Sequence, residues 1–156
     1  MCNTTKSFNC LIDDIDIPLL EGRDISFTQN GYGRVNLRNK TVLVHRLIHL
    51  AMGLNPALQT DHKNRNRLDC RRENLREASQ TQNKGNSTKY ANNSSGFKGV
   101  SLHKKQGKYN ARLRINKEIV HLGCFVDPVE AAKAYDKAAI QYFGDFAFTN
   151  KDMRLY

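Results

Sequence analysis

Thr60-Asp61-His62, followed by Leu68-Asp69, Glu73-Asn74-Leu75-Arg76 and Gln82-Asn83, is the stretch whose residue types can do chemistry together. Hydrolysis of a phosphate diester needs a base that takes a proton from water near neutrality, which suits histidine. It also needs charge stabilised on the phosphate and the departing oxygen, a task for a hard divalent cation. Magnesium takes oxygen ligands and keeps several waters, so a pair of protein oxygens is enough. Adjacent Asp61 and His62 offer a ligand and a base at a strand end. An amide oxygen from a later helix can supply the second ligand. An Asp-His dipeptide alone is common on surfaces and carries little. The spacing carries more: Asn74 stands thirteen residues after Asp61, and Asn83 nine after that. The plain alternative is a polar hairpin whose asparagines only satisfy its turns.

The elements that must position these groups are partly legible. Residues 24–44 alternate apolar and polar around turns at Asn30-Gly31 and Arg38-Asn39-Lys40, which predicts a small antiparallel sheet. His45 to Met52 reads as a short helix stopped at Gly53. Residues 59–78 read as two short strands joined by a long polar turn, and residues 79–86 as a short helix from Ser79 to Gly85. Residues 84–96 are rich in Asn, Ser and Gly, a linker composition. Beyond them lie three strand-like runs, Phe97–His103, Tyr109–Ile115 and Ile119–Phe125. The clearest helix follows: Asp127 as N-cap, Pro128 at the first position, Glu130 closing a capping box, and a stop at Gly144. Its alanines predict a flat face against the sheet, with Tyr135 and Tyr142 filling the edges.

Charge points to the partner. The formal net charge of the 156 residues is +10, which speaks to polyanions rather than to fold. Residues 1–31 carry Asp13, Asp14, Asp16, Glu21 and Asp24 against Lys6 and Arg23. Residues 78–117 carry no acid and nine bases. In the Tyr109–Ile115 run, alternation puts Asn110, Arg112 and Arg114 on one face and Ala111, Leu113 and Ile115 on the other. Arginine on a strand can grip guanine O6/N7 or a phosphate. Cys2, Cys10, Cys70 and Cys124 form no C-x-x-C pair and are too scattered for a disulfide scaffold. No apolar run approaches a membrane span, and the N-terminus is not patterned as a signal peptide. A soluble protein of a reducing, cytoplasmic compartment is expected. His45 is expected to hydrogen-bond within the helix–hairpin contact, His49 to pack, and Cys70 and Cys124 to be half-buried thiols.

Two resemblances add to this reading. Asp61-His62, Asn74-Leu75-Arg76 and Asn83, with the lead-in His45-Arg46-Leu47-Ile48, resemble the HNH (ββα-metal) endonucleases, specifically the phage and intron-associated homing type. The resemblance spans about residues 25–86. It implies His62 as general base, Asp61 and Asn83 as metal ligands, and Asn74 as the residue that ties the hairpin and orients the base. The turn Lys63–Asn66 lacks the glycine common in that family, and Cys70 stands where it usually has Asn. Residues 96–150, through Gly96-Phe97-Lys98-Gly99-Val100, Tyr109–Arg114, His121–Phe125 and Glu130–Ala139, resemble the ethylene-response-factor (apetala) DNA-binding domain. That implies a three-stranded sheet in the major groove, and nominates Lys98, Ser101, His103, Lys105, Arg112, Arg114 and His121 as DNA contacts. Arg112 stands where the plant domains often have an acid, so base preference does not carry over.

The expectation is therefore an α+β chain: an N-terminal ββα-metal HNH nuclease domain (1–86), a linker (87–96), and a three-stranded antiparallel sheet packed on one helix (97–156). It would be a monomeric Mg²⁺ or Mn²⁺ endonuclease acting on double-stranded DNA, with no membrane and no organic cofactor; nicking and double-strand cutting both stay open, and a single site in a monomer favours nicking. The rival is a sequence-specific DNA-binding regulator on an inactive nuclease fold. An RNA-binding role is weakened by the lack of exposed aromatic stacking pairs in the strands.

Overall fold

A computed structural model describes residues 10–38 and 40–156. Asn39, in the second expected turn, and Cys2 lie outside the described residues. The chain mixes helices with antiparallel sheets and divides into two compact units, Met1–Ser79 and Gln80–Tyr156.

In the first unit β1 (Ser26–Phe27), β2 (Gly33–Leu37) and β3 (Lys40–Leu43) form an antiparallel sheet in that order. The helix α1 (Val44–Ala51) follows without a loop. Val44 and Ile48, four apart and so on one face, are fully buried and share a core with Leu20, Val35, Cys70 and Leu75. Each large aliphatic buried this way contributes about 1.5–3 kcal/mol. Cys70 is thus a core residue rather than half-buried, and Cys124 is exposed. The strands β4 (Gln59–His62) and β5 (Leu75–Ala78) form an antiparallel hairpin that pairs Asp61 with Arg76 and His62 with Leu75. Residues 10–20 grip the long loop of this hairpin. The Leu11 amide donates to the Leu68 carbonyl (2.7 Å) and the Cys70 amide to the Leu11 carbonyl (2.8 Å). Asp13 accepts from the Arg72 amide (2.7 Å), and the Asp16 carboxylate takes the Arg72 guanidinium through both oxygens (2.7 and 2.8 Å).

The second unit holds α2 (Gln80–Gly85), a sheet of β6 (Val100–His103), β7 (Lys108–Ile115) and β8 (Glu118–Phe125), and α3 (Pro128–Phe143). The first strand starts later than the sequence predicts because Phe97–Gly99 turn. The Val100 amide bonds the Phe97 carbonyl (3.3 Å), and Gly99 sits at φ +74°. A Cβ at Gly99 would run into the Tyr135 ring, so only glycine lets α3 approach so closely. Ala111 and Leu113 face inward with Ala131, Ala132, Tyr135, Ala138 and Ala139. Tyr135 belongs to this core and Tyr142 is exposed, so the two tyrosines do not flank the helix alike. Asp127 caps α3 by accepting from the Val129 amide (2.9 Å). Glu130 pairs with Lys133 (2.8 Å), so its carboxylate serves an i,i+3 ion pair in place of the expected capping box.

The stretch expected as a linker is built into this unit. Asn93 Oδ1 accepts from the Ser95 and Gly96 amides (2.9 and 3.0 Å), and Ser95 Oγ donates to the Val100 carbonyl (2.8 Å). The Phe148 amide bonds the Gly85 carbonyl (3.1 Å), and the Phe143 ring leaves no room for a Cβ at Gly85. The compact units accordingly divide before α2, not after it. Polar composition looked like a flexible spacer because its small side chains satisfy each other locally. Among the described residues no helix is long and apolar enough to cross a membrane.

Candidate functional site

Asp61 and His62 stand at the end of β4, 4% and 5% exposed. Burial lowers the pKa of His62 first; the Asp61 and Asp69 carboxylates pull it back up, and Arg67 lowers it. The ring is thus held in its neutral form, the form that can take a proton. The Asp61 carboxylate accepts from Arg76 Nε (2.8 Å) across the strand pair. Arginine there fixes the carboxylate's orientation and compensates its charge.

Asn74 ties the loop between the strands. Its Oδ1 accepts from the Asn64 amide (2.9 Å), its Nδ2 donates to the Asp69 carbonyl (2.7 Å), and its own carbonyl accepts from the Lys63 amide (2.8 Å). Asp69 adds a second knot, accepting from Asn64 Nδ2 (2.7 Å) and from the Arg71 guanidinium (2.8 Å at each oxygen). The Arg71 cation holds its carboxyl below the usual carboxylate range. A loop so bonded has few ways to move the residue at its start, which is His62.

Three neighbours of His62 were not singled out for the site by sequence reasoning. The His45 ring meets it edge-on, centroids 5.0 Å apart, and Tyr32 lies 5.0 Å from His45 and 6.0 Å from His62. The Arg67 guanidinium sits 5.0 Å over the Tyr32 ring. His45 is 6% exposed, and its Nδ1 has no hydrogen-bond partner among the described residues. Burial foremost, then the charges of His62, Arg46 and His49, lower its pKa to about 3. It packs against the catalytic candidate instead of bonding within the helix–hairpin contact. His49 makes such bonds: Nε2 donates to the Asn55 carbonyl (2.9 Å), so Nδ1 accepts from Thr60 Oγ1 (3.0 Å). His45 at the head of α1 was the one available signal; Tyr32 and Arg67 reach the site only through tertiary contact.

A hard cation fits the oxygen of Asp61. Among the described residues no group of three or more His, Cys, Asp and Glu forms a cage, so a cation at Asp61 would rely on few protein oxygens and on water, as magnesium does. Asn83, the second expected ligand, is half-buried on α2 in the second unit.

In the second unit the cross-strand register puts Ser101 beside Asn110, Arg112 beside His121 and Arg114 beside Ile119. Ser101, His103, Arg112, Arg114 and His121 share the face of the sheet turned away from α3, and Lys105 is exposed in the β6–β7 turn. Arg112 donates to Ser101 Oγ (2.6 Å). Lys98 departs from the expectation. It is 7% exposed, and its ammonium donates inward to the carbonyls of Gly85, Ser87 and Phe148 (2.8, 2.7 and 2.9 Å). A cation so held does not reach a phosphate. It braces the unit instead.

Comparison with known proteins agrees with these two patterns. The profile of the HNH endonuclease family matches residues 42–84. A stretch of 72 residues, 45% of this chain, is 46% identical to APETALA2-like protein 2 of rice (Oryza sativa subsp. indica), covering 16% of that protein. Another of 73 residues is 41% identical to the AP2-like ethylene-responsive transcription factor AIL7 of Arabidopsis thaliana, covering 14% of it. The chain thus spans about a sixth of the rice relative's length. It joins a segment of HNH endonuclease pattern to a stretch similar to the AP2-type plant proteins.

Proposed function

We propose that the chain is a metal-dependent DNA endonuclease of the homing type. Its nuclease motif would lie within residues 1–86 and its DNA-binding module within residues 97–156, with residues 87–96, which belong to the second compact unit, as the join. The observation that carries this reading is the buried Asp61–His62 pair, with His62 kept neutral by burial, at the mouth of a loop knotted by Asn74. In this mechanism His62 takes the proton from a water in line with the scissile bond. Asn74 keeps His62 in place. Asp61, and Asn83 on α2, would hold Mg²⁺ or Mn²⁺, which when bound supplies charge stabilisation for the departing 3′ oxygen. The products carry 5′-phosphate and 3′-hydroxyl ends, and a monomer with a single site nicks. Ser101, His103, Lys105, Arg112, Arg114 and His121 bind the duplex. The setting is the cytoplasm of a bacterial or phage-infected cell.

The test is incubation of purified protein with supercoiled plasmid or phage DNA, first with magnesium and then with chelator. Nicked product only with metal is expected, and His62→Ala should lower its rate by about 10²–10⁴ while DNA binding persists. Undiminished cleavage by His62→Ala would remove His62 from the base's role. A second reading, a DNA-binding regulator on a silent nuclease fold, is favoured by the name of the Arabidopsis relative, an AP2-like ethylene-responsive transcription factor. Binding without cutting, under magnesium and manganese alike, would establish it.

A further inference from the structure

Beyond the first residue of β6, β7 goes on with only β8 beside it. The β6–β7 ladder stops at Val100–Ala111, and the Arg112 amide makes the last bond on that edge, to the Gly99 carbonyl (2.8 Å). Amides alternate sides along a strand, so the Arg114 amide faces this same, uncovered edge. The chain from Lys84 to Asn93 borders it, leaving a cavity of about 330 Å³. Lys84, Lys89, Arg112 and Arg114 line it with Tyr90, and no Asp or Glu does. None of the four cations makes an ion pair among the described residues. Tyr90 is 76% exposed, an unusual state for a large ring in a short turn that is otherwise held by hydrogen bonds. Four uncompensated cations around a small-molecule-sized cavity, with an exposed aromatic, make a phosphate site with a surface for a planar group.

We propose that this cavity takes one unpaired nucleotide of a DNA strand, its phosphate among Lys84, Lys89 and Arg114 and its base stacked on Tyr90. The inference rests on the reading that DNA is the partner, and deepens it. The duplex lies on the sheet face through Arg112 and Arg114, and the strand continues from there into the cavity at the sheet's open edge. The site recognises an end, gap or locally opened stretch. Stacking is sequence-tolerant because every base has a π-face, so the cavity adds affinity without adding base specificity.

The test uses the full chain in chelator, so that the outcome is independent of cleavage. Binding of a labelled blunt duplex is compared with that of the same duplex carrying a short single-stranded extension, across a salt series; a deoxynucleoside monophosphate is tried as competitor. The extension should tighten binding roughly tenfold. Tyr90→Ala should abolish that gain and Tyr90→Phe keep it. Lys84→Ala with Lys89→Ala should lower the slope of log K against log salt by about 0.7, the value for one single-strand phosphate no longer neutralised. All three side chains are exposed or half-exposed, so the variants should fold, and an unchanged melting temperature checks it. The monophosphate should compete only weakly, since it lacks the duplex contacts; equal potency would make the site a free-nucleotide site and overturn the proposal. Equal affinity for blunt and extended duplexes, or Tyr90→Ala and the lysine variant behaving as wild type, would overturn it while leaving the DNA partner standing. Absence of any DNA binding by the wild type would end both.

Discussion

His45 is a histidine kept neutral beside another histidine. Its neighbours are His62 on β4, Tyr32 before β2, and Arg46 and His49 on α1. No carboxylate is among the charges that act on it, and the cationic ones repel a proton. Its folded pKa, about 3, lies below the usual 6.5, so between those values the unfolded chain binds the extra proton. Stability from this residue is therefore whole above about pH 6.5 and drains as pH falls toward 3. At pH 5 the loss is about 2 kcal/mol, from 1.5 pH units at 1.36 kcal/mol each. His45→Phe keeps an aromatic ring against His62 and removes the titration. Its melting temperature should fall less than that of the wild type between pH 7 and pH 5. Equal falls would place the acid sensitivity elsewhere.

At the scale of the elements, the hairpin that presents Asp61 and His62 is short, and a two-stranded ribbon is marginal alone. The segment 10–20 holds it from outside, with Asp16 and Leu20 fully buried. Asp16→Asn keeps the shape and weakens the bidentate pair with Arg72. It should cost about 1–3 kcal/mol in denaturant unfolding and speed hydrogen exchange at the Arg72 amide; a variant as stable as wild type would mean the arm is not a brace. The sequence made α1, β7, β8 and α3 legible because each carries a local signal: an apolar period of four, strict alternation, a cap with a proline behind it. Asp61, His62 and Asn74 were legible for a similar reason, since their spacing is local to one hairpin. The arm's grip was not, because Asp16 and Arg72 lie 56 residues apart and nothing local distinguishes that pair from two solvated charges. The linker misled because Asn93 and Ser95 bond the backbone around them, and composition does not tell a knotted turn from a loose one.

For the whole molecule, the proposed second metal ligand sits on an element that packs with the second unit. The HNH pattern runs through residue 84, yet α2, which carries Asn83, is compact with the second unit. Its last carbonyl, on Gly85, is held by the Phe148 amide and by Lys98 Nζ. Lys98, nominated by the resemblance as a DNA contact, therefore tethers α2, the helix that carries Asn83. Three carbonyls gathered on one ammonium are a demanding site. Lys98→Met keeps the apolar stem and leaves those oxygens without their donor, at a cost of about 1–3 kcal/mol. DNA affinity and its salt slope should stay as in the wild type, because no phosphate loses a cation. Cleavage should fall, by up to about 100-fold if Asn83 moves by an ångström or so, and excess magnesium should restore part of it. A salt slope shallower by about one, with cleavage lowered only as far as binding, would instead return Lys98 to the DNA.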